Sequence, residues 1–387
     1  MAFKILVVDD EPDVELLIKQ RFRRKIREGG FDFEFALNGE EALRKLNGDE
    51  SIDIVMSDIN MPVMDGLTLL SRLRDMDRLI RTVIVSAYGD MQNIRVAMNR
   101  GAYDFLTKPI DFDDFEITLQ KTIEEIKGVR AGHQARRQLD EIETELAVAS
   151  RIQQSMLPRR FPAFPERADF EVYADMAPAR LVGGDFYDFF LIDADRIGFV
   201  VGDVSGKGVP AALFMAATRT LLRATAMQGS SAAKCIHYVN NVLAKQSDGA
   251  MYVTIFYAIL DVRDGSVDYC SAGHHAPCVF LKDGSIHQHA SKGGGLIAGL
   301  YEAAKYEGGS LQLAAGDGLL LYTDGVTEAF DAAGTMFDEG RLERSLQAVS
   351  GGPIEEIVKK IVHDLRSFQG SAAQSDDITL LAVRYLG

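Results

Sequence analysis

Over residues 1–125, five short apolar runs alternate with amphipathic segments, and this rhythm leaves few folds open to the chain. The runs are 5–8, 31–36, 52–57, 82–86 and 103–106; segments such as 14–27 and 67–74 lie between them with helical periodicity. Alternation at this spacing predicts a doubly wound α/β domain with a five-stranded parallel sheet covered on both faces. In such sheets the active site lies beyond the carboxyl ends of the strands. The polar residues fall there. Asp9 and Asp10 follow the first run, Asp58 the third, Ser86 ends the fourth, and Lys108 follows the fifth.

At these positions the first third of the chain resembles a two-component receiver domain. The matching residues are Asp9, Asp10, Asp58, Ser86 and Lys108-Pro109, in chain order. The resemblance implies that Asp58 accepts a phosphoryl group from a histidine kinase or a phosphotransfer protein. It implies that Asp10, Asp58 and the backbone carbonyl of Asn60 hold Mg²⁺, with Asp9 assisting. Ser86 and Lys108 would contact the phosphoryl oxygens, Lys108-Pro109 would be cis, and Phe105 takes the place of the switch aromatic. The chemistry is coherent, because phosphoryl transfer to a carboxylate gathers like charges that a cation and a lysine must offset.

A connector follows, assigned to residues 126–157. From Asp113 to Leu157 there is little turn chemistry, and only Gly128 and Gly132 interrupt the helical pattern, marking a weak point or hinge. In its second half Leu139, Ile142, Leu146, Ala149, Ile152 or Gln153, and Met156 recur at spacings of three and four. That seam is narrow and has charged flanks, as in a coiled coil that would pair two copies of the chain. The same pattern also suits a single amphipathic helix docked on the following domain.

Beyond it, over residues 158–387, strand-like runs come in series and helical patterns in pairs, with hairpin signals at Asp264-Gly265 and Asp283-Gly284. This predicts an α+β domain, an antiparallel β-sandwich flanked by helices. The stretch Gly202-Asp203-Val204-Ser205-Gly206-Lys207-Gly208 places an acid at the end of an apolar run, before a glycine-rich turn. Three further acids sit in similar punctuation: Gly184-Asp185, Thr323-Asp324-Gly325 and Ser375-Asp376-Asp377. Four such carboxylates form a cluster that needs neutralising, and hard divalent cations bound by oxygen are suited to it.

These stretches, with Val182-Gly183-Gly184-Asp185-Phe186-Tyr187-Asp188, Ser271-Ala272-Gly273-His274 and the preceding Ile152-Gln153-Gln154-Ser155-Met156-Leu157-Pro158, resemble the metal-dependent (PPM-type) phosphatases of the protein phosphatase 2C superfamily. The likeness is to the bacterial sporulation and stress-response branch. It implies two Mn²⁺ or Mg²⁺ ions. Asp203 would bridge both, Asp185 and the Val204 carbonyl would serve one, and Asp324 and Asp376 the other. The implied activity is a phosphoserine or phosphothreonine protein phosphatase acting on a phosphorylated anti-sigma-factor antagonist, under the control of Asp58. Eukaryotic relatives carry a histidine where this chain has Ser205, so the proton donor to the leaving group is unassigned. Arg180 is a surface arginine or a phosphate ligand, and Lys207 a solvated lysine or a guide for an anionic substrate. His274 and His275 read as structural, with no partner acids in a nearby motif.

A formal net charge of −15 and a pI near 5.0 argue against a nucleic-acid binder. Three cysteines without zinc-ligand spacing, no apolar run long enough for a membrane span, and no signal-peptide pattern predict a soluble cytoplasmic protein. Two rival readings remain: a non-catalytic adaptor that binds its partner through a phosphatase-like domain, and a small-molecule phosphatase. All four metal-binding acids are present, which favours an enzyme.

Overall fold

The computed structural model describes residues 3–87, 89–246, 251–288 and 295–387. They form two compact units, Met1–Glu141 and Ile142–Gly387. In chain order the first unit runs β1 (Phe3–Val8), α1 (Asp13–Arg21), α2 (Arg23–Arg27), β2 (Phe31–Ala36), α3 (Gly39–Gly48), β3 (Ile52–Asp58), α4 (Gly66–Arg74), β4 (Arg81–Ala87), α5 (Met91–Asn99) and β5 (Asp104–Lys108). The five strands are parallel in the order β2-β1-β3-β4-β5. All seven residues of β3 are buried, as a strand covered on both faces requires. Two helix starts in this unit, those of α3 and α4, are set by side chains. Asn38 accepts from the Glu41 N–H at 2.9 Å, and Asp65 accepts from the Thr68 N–H at 2.6 Å.

The amphipathic segment 14–27 is not one helix, as its pattern predicts, but two. It breaks at Phe22, which leaves helical geometry and is buried against Phe31, Phe33 and Phe115. Phe22 keeps its i to i−4 bonds, donating to the Ile18 carbonyl and accepting from the Ile26 N–H at 2.9 Å each, so the break is a local change in backbone angles at a ring held in the aromatic cluster.

The connector is a single helix, α6 (Phe112–Met156), unbroken through Gly128 and Gly132. Its first turns bury Phe115, Leu119, Ile123 and Ile126 in the core of the first unit. Beyond Ile126 its surface is mostly exposed; Leu139, Ile142 and Ile152 are more than half exposed, and Leu146 is partly buried. Burial resumes at Gln153 and at Leu157, which joins the core of the second unit.

The second unit contains β6 (Phe170–Ala177), β7 (Phe186–Leu191), β8 (Arg196–Val204), α7 (Val209–Ala226), α8 (Ala232–Gln246), β9 (Val253–Asp261), β10 (Ser266–Ala272), β11 (Cys278–Phe280), β12 (Ile286–Gln288), β13 (Gly308–Gln312), β14 (Gly318–Tyr322), α9 (Asp324–Thr327), α10 (Asp338–Gln347), α11 (Ile354–Gln369) and β15 (Ile378–Tyr385). Two antiparallel sheets, β13-β10-β9-β8-β7 and β12-β11-β14-β15-β6, pack face to face. Phe199, Val201 and Tyr257 of one sheet share a core with Leu319, Leu381 and Val383 of the other. Helices α7 and α8 lie on the first sheet, and α10 and α11 build a second core on the other. Cys235, Cys270 and Cys278 are free thiols in these cores. Among the described residues no helix is long and apolar enough to cross a membrane.

Candidate phosphoacceptor and acid-cluster sites

In the first unit the parallel strands deliver their polar ends to one edge of the sheet. Asp9, Asp10 and Asp58 each place a carboxylate oxygen within 4.8 Å of the others, the one such group of potential metal ligands among the described residues. Asp9 and Asp58 are buried, Asp10 is exposed. Lys108 Nζ reaches Asp58 Oδ2 at 2.6 Å and Asp9 Oδ2 at 2.9 Å. Burial opposes the lysine's charge, but the two carboxylates more than offset it and hold its pKa above the usual value. Burial also raises the Asp9 carboxyl, against the Glu11 N–H and Lys108, which favour its ionised form.

Ser86 Oγ is fully buried and makes no hydrogen bond, an orphaned polar group of the kind that a phosphoryl oxygen or a water satisfies. The Asn60 N–H donates to Asp58 Oδ1 at 3.3 Å, and the Lys108-Pro109 peptide is cis. Phe105 is half-buried beside Ile59, Leu70 and Ile84. Gly66 passes so close to this site that a Cβ there would lie 2.1 Å from the Asp58 carbonyl oxygen.

In the second unit the acids come from both sheets. Asp203 lies near the end of β8, Asp185 just before β7, Asp324 at the start of α9, and Asp376 just before β15. Asp185 is fully buried, and its Oδ2 accepts from Thr323 Oγ1 at 2.7 Å and Thr379 Oγ1 at 2.6 Å. Burial, then the charges of Asp203 and Asp377, push its pKa well above the carboxylate range. Asp203 is pushed up to about 7 by burial and by Asp324. Burial and Asp376 raise Asp324. These acids repel one another, yet no three of them bring ligand oxygens within 4.8 Å of one another. Mutual repulsion among carboxylates withdrawn from solvent to different degrees is the signature of a site built for cationic charge.

Lys207 Nζ pairs with Asp376 Oδ2 at 2.9 Å and donates to the Ser375 carbonyl at 2.5 Å. Ser205 is tied to the backbone: its Oγ accepts from the Tyr252 N–H at 3.0 Å. Arg180 is exposed. His274 is buried; its Nε2 donates to the Tyr322 carbonyl at 3.1 Å, and its Nδ1 accepts from Thr254 Oγ1 at 2.9 Å. Both ring nitrogens are thus occupied by structural partners. His275 stacks on the Tyr322 ring with centroids 6.1 Å apart.

The model of the stage II sporulation protein E family (SpoIIE) matches residues 193–386, and that of the response regulator receiver domain matches residues 5–120. The chain belongs to the SpoIIE family. Its region of likeness to protein IcfG of Synechocystis is 32% identical over 266 residues, 62% of this chain and 41% of that protein. Phosphoserine phosphatase RsbU of Bacillus subtilis is 29% identical over 245 residues, 63% of this chain and 71% of RsbU. The solved SiaA-PP2C domain of Pseudomonas aeruginosa superposes with a TM-score of 0.57 at 26% identity, covering 64% of this chain and 98% of that domain. A receiver domain is therefore fused to a SpoIIE-type phosphatase domain.

Several residues of this SpoIIE domain escape a reading of its motifs. Asp377, beside Asp376, lies against the acid cluster, where its charge raises Asp185, and its carboxylate braces backbone. Its Oδ1 accepts from the Ala179 N–H at 2.7 Å, and its Oδ2 from the Gly184 N–H at 2.8 Å. Thr323 and Thr379 stand next to motif acids, yet only the strand pairing of β14 with β15 brings both hydroxyls onto Asp185. Asp188 is fully buried and paired with Arg219 at 2.9 Å and Arg223 at 3.1 Å, both from α7. The i, i+4 arginine spacing on a helical pattern was the available signal.

Proposed function

We propose that the protein is a response regulator in which phosphorylation of Asp58 controls a Mn²⁺- or Mg²⁺-dependent phosphoserine and phosphothreonine protein phosphatase. A histidine kinase or phosphotransfer protein supplies the phosphoryl group, and a phosphorylated anti-sigma-factor antagonist is the substrate. The observation that carries this reading is the raised, mutually repelling set Asp185, Asp203 and Asp324, with Asp376 beside it. RsbU, by name a phosphoserine phosphatase, supports the substrate class.

The donor set is all oxygen, which suits hard divalent cations. Asp203, Asp185, Asp324, Asp376 and the Val204 carbonyl would hold two of them, which when bound supply an acidified water and charge to offset the phosphoryl oxygens. The chain's own groups prepare that site. Thr323 and Thr379 orient Asp185 and favour its ionised form. Asp377 holds the backbone of the loop that carries Asp185. Lys207 balances Asp376 at the rim, where it can also guide an anionic substrate.

In the receiver, Asp9, Asp10, Asp58 and the Asn60 carbonyl would hold Mg²⁺. Lys108 already spans Asp9 and Asp58, and the Ser86 hydroxyl is unengaged. Phosphorylation turns the singly charged Asp58 carboxylate into an acyl phosphate with about two negative charges and three acceptor oxygens, which draws Ser86 and lets Phe105 repack. The apolar seam of exposed Leu139, Ile142 and Ile152 with partly buried Leu146 supports a homodimer joined along α6.

The test is phosphate release from a phosphorylated antagonist protein, with Mn²⁺ or with a chelator. Hydrolysis should require Mn²⁺ and vanish in Asp203→Ala. Near-wild-type hydrolysis by Asp203→Ala would overturn the two-metal assignment, and tight binding of the antagonist without turnover by the intact protein would make it an adaptor.

A further inference from the structure

The last turn of α6 makes one buried polar contact, and it is made to the loop that leads into Asp185. Ile152 is 55% exposed, but Gln153 is 7% exposed and points inward. Its Nε2 donates to the Gly183 carbonyl at 2.6 Å, and the Gly183 N–H donates back to its Oε1 at 3.1 Å. A side-chain amide thus grips both polar groups of one residue. Such a two-point contact is directional. A helix advances 1.5 Å and turns 100° per residue, so a shift of one residue breaks both bonds together.

The loop cannot absorb that movement elsewhere. On its other side Asp377 takes the N–H groups of Gly184 at 2.8 Å and Asp185 at 3.3 Å. A Cβ on Gly183 would lie 2.1 Å from the Asp377 carboxylate, and one on Gly184 would lie 2.6 Å from the Val204 carbonyl oxygen. Loop 183–185 is therefore clamped between Gln153 and Asp377, and its backbone touches the carbonyl assigned above to a metal. The same lead-in is tied a second time, where the Tyr187 hydroxyl donates to the Pro158 carbonyl at 2.6 Å.

We propose that Gln153 is a positioning residue: through its paired hydrogen bonds to Gly183, the last turn of α6 sets the loop that presents Asp185, and so sets the affinity of the acid cluster for its divalent cation. The proposal rests on the phosphatase reading, and it gives the connector a physical point of contact with the site. Partners of ligand groups of this kind are worth 10- to 100-fold in metal affinity or activity.

The test compares wild type with Gln153→Met, which keeps length and apolar bulk but loses the amide. Gln153→Asn keeps the amide but falls short by a methylene, and Arg151→Ser, on the exposed side of the same turn, is the control. Mn²⁺ binding is measured directly from free Mn²⁺ at equilibrium, alongside phosphate release as a function of Mn²⁺. Receiver binding is common to all four proteins and cancels in the comparison. Both Gln153 variants should bind Mn²⁺ roughly 10- to 100-fold more weakly at the second unit and need correspondingly more Mn²⁺ for half-maximal rate, with KM for the phosphoprotein unchanged at saturating Mn²⁺. Arg151→Ser should match wild type. Unchanged Mn²⁺ binding in folded Gln153→Met overturns the proposal, and so does loss of cooperative unfolding in both Gln153 variants, which would make the contact purely structural. Failure of the phosphatase reading looks different: wild type would then release no phosphate at any Mn²⁺ concentration.

Discussion

Thr323 donates its hydroxyl hydrogen to Oδ2 of Asp185, 138 residues away in the chain, at 2.7 Å. Asp185 is fully buried, and this bond and the matching one from Thr379 favour its ionised form against burial and the charges of Asp203 and Asp377, which still hold its pKa well above the carboxylate range. Thr323→Val keeps the shape and removes both this donor and the acceptor of the Thr379 N–H at 3.1 Å. It should raise the Mn²⁺ concentration for half-maximal phosphatase rate by about tenfold. The double variant with Thr379→Val should depart from additivity, because both hydroxyls serve one oxygen. A Mn²⁺ titration of the four proteins checks this.

Asp203 should cost stability when no divalent cation is bound. Its carboxyl is pushed up to about 7 in the folded protein, from an ordinary value of 3.8. The folded state therefore binds the proton more tightly than the unfolded one, and stability falls as pH rises from about 4 to 7. Asp203→Asn in chelator should lose that slope and melt higher than wild type at pH 8. It should also lose the rise in Tm that Mn²⁺ gives wild type. Thermal melts with and without Mn²⁺ across this pH range would show both effects.

His274 should tilt the acid limb the other way. Burial, then His275, push it down to about 3 from 6.5. A group whose folded pKa is depressed contributes stability above its unfolded value and loses it as pH falls through 6.5 toward 3. His274→Gln can keep the bond to the Tyr322 carbonyl. It should flatten acid destabilisation between pH 6.5 and 4, while costing about 1–3 kcal/mol at pH 8 through the lost Thr254 contact. Urea melts of both proteins at pH 8 and pH 4.5 give the comparison.

Asp58 should form an acyl phosphate from a small phosphodonor, stable in acid and labile in base. Asp58→Ala should not be labelled, and Lys108→Ala should be labelled more slowly, since it removes the cation 2.6 Å from the acceptor. Full labelling of Asp58→Ala would move the acceptor elsewhere.

The seam on α6 should pair two chains. Leu146→Asp places a charge among its apolar residues and should weaken the dimer or uncouple the domains while leaving Asp58 phosphorylation intact. The measurement is phosphatase rate with and without beryllofluoride in both proteins. A coupling of about 1–3 kcal/mol corresponds to a 5- to 150-fold change in wild type. An equal response in Leu146→Asp would remove the seam from the mechanism.

The five receiver strands are legible in the sequence as short runs rich in apolar residues, four of which close on a polar residue that the sheet places at one edge. Asp9, Asp58, Ser86 and Lys108 inherit their proximity from that rule. The break at Phe22 is not legible. Local periodicity continues through it, and only the aromatic cluster with Phe31, Phe33 and Phe115 explains it. Strand β13 is hidden for a similar reason. Its Gly308 and Gly309 have low strand propensity, yet a Cβ on Gly309 would lie 2.2 Å from the Tyr269 ring, so the cross-strand aromatic demands glycine. The motif acids stand out by their glycine and threonine punctuation. Gln153 and Asp377 fall in the same stretches, but their role does not show, because they hold a backbone that only the folded sandwich brings to them.

The burial of Cys235, Cys270 and Cys278 has a practical consequence. Burial pushes all three thiols up to about 12, so none presents a thiolate to reagents at neutral pH. The natural chain is already silent to maleimides while it stays folded. A single cysteine placed on the exposed stretch of α6, at Ala135 or Glu143, would be the sole labelling point. One fluorophore or spin label there would show directly whether two chains pair along α6, with no need for a cysteine-free background.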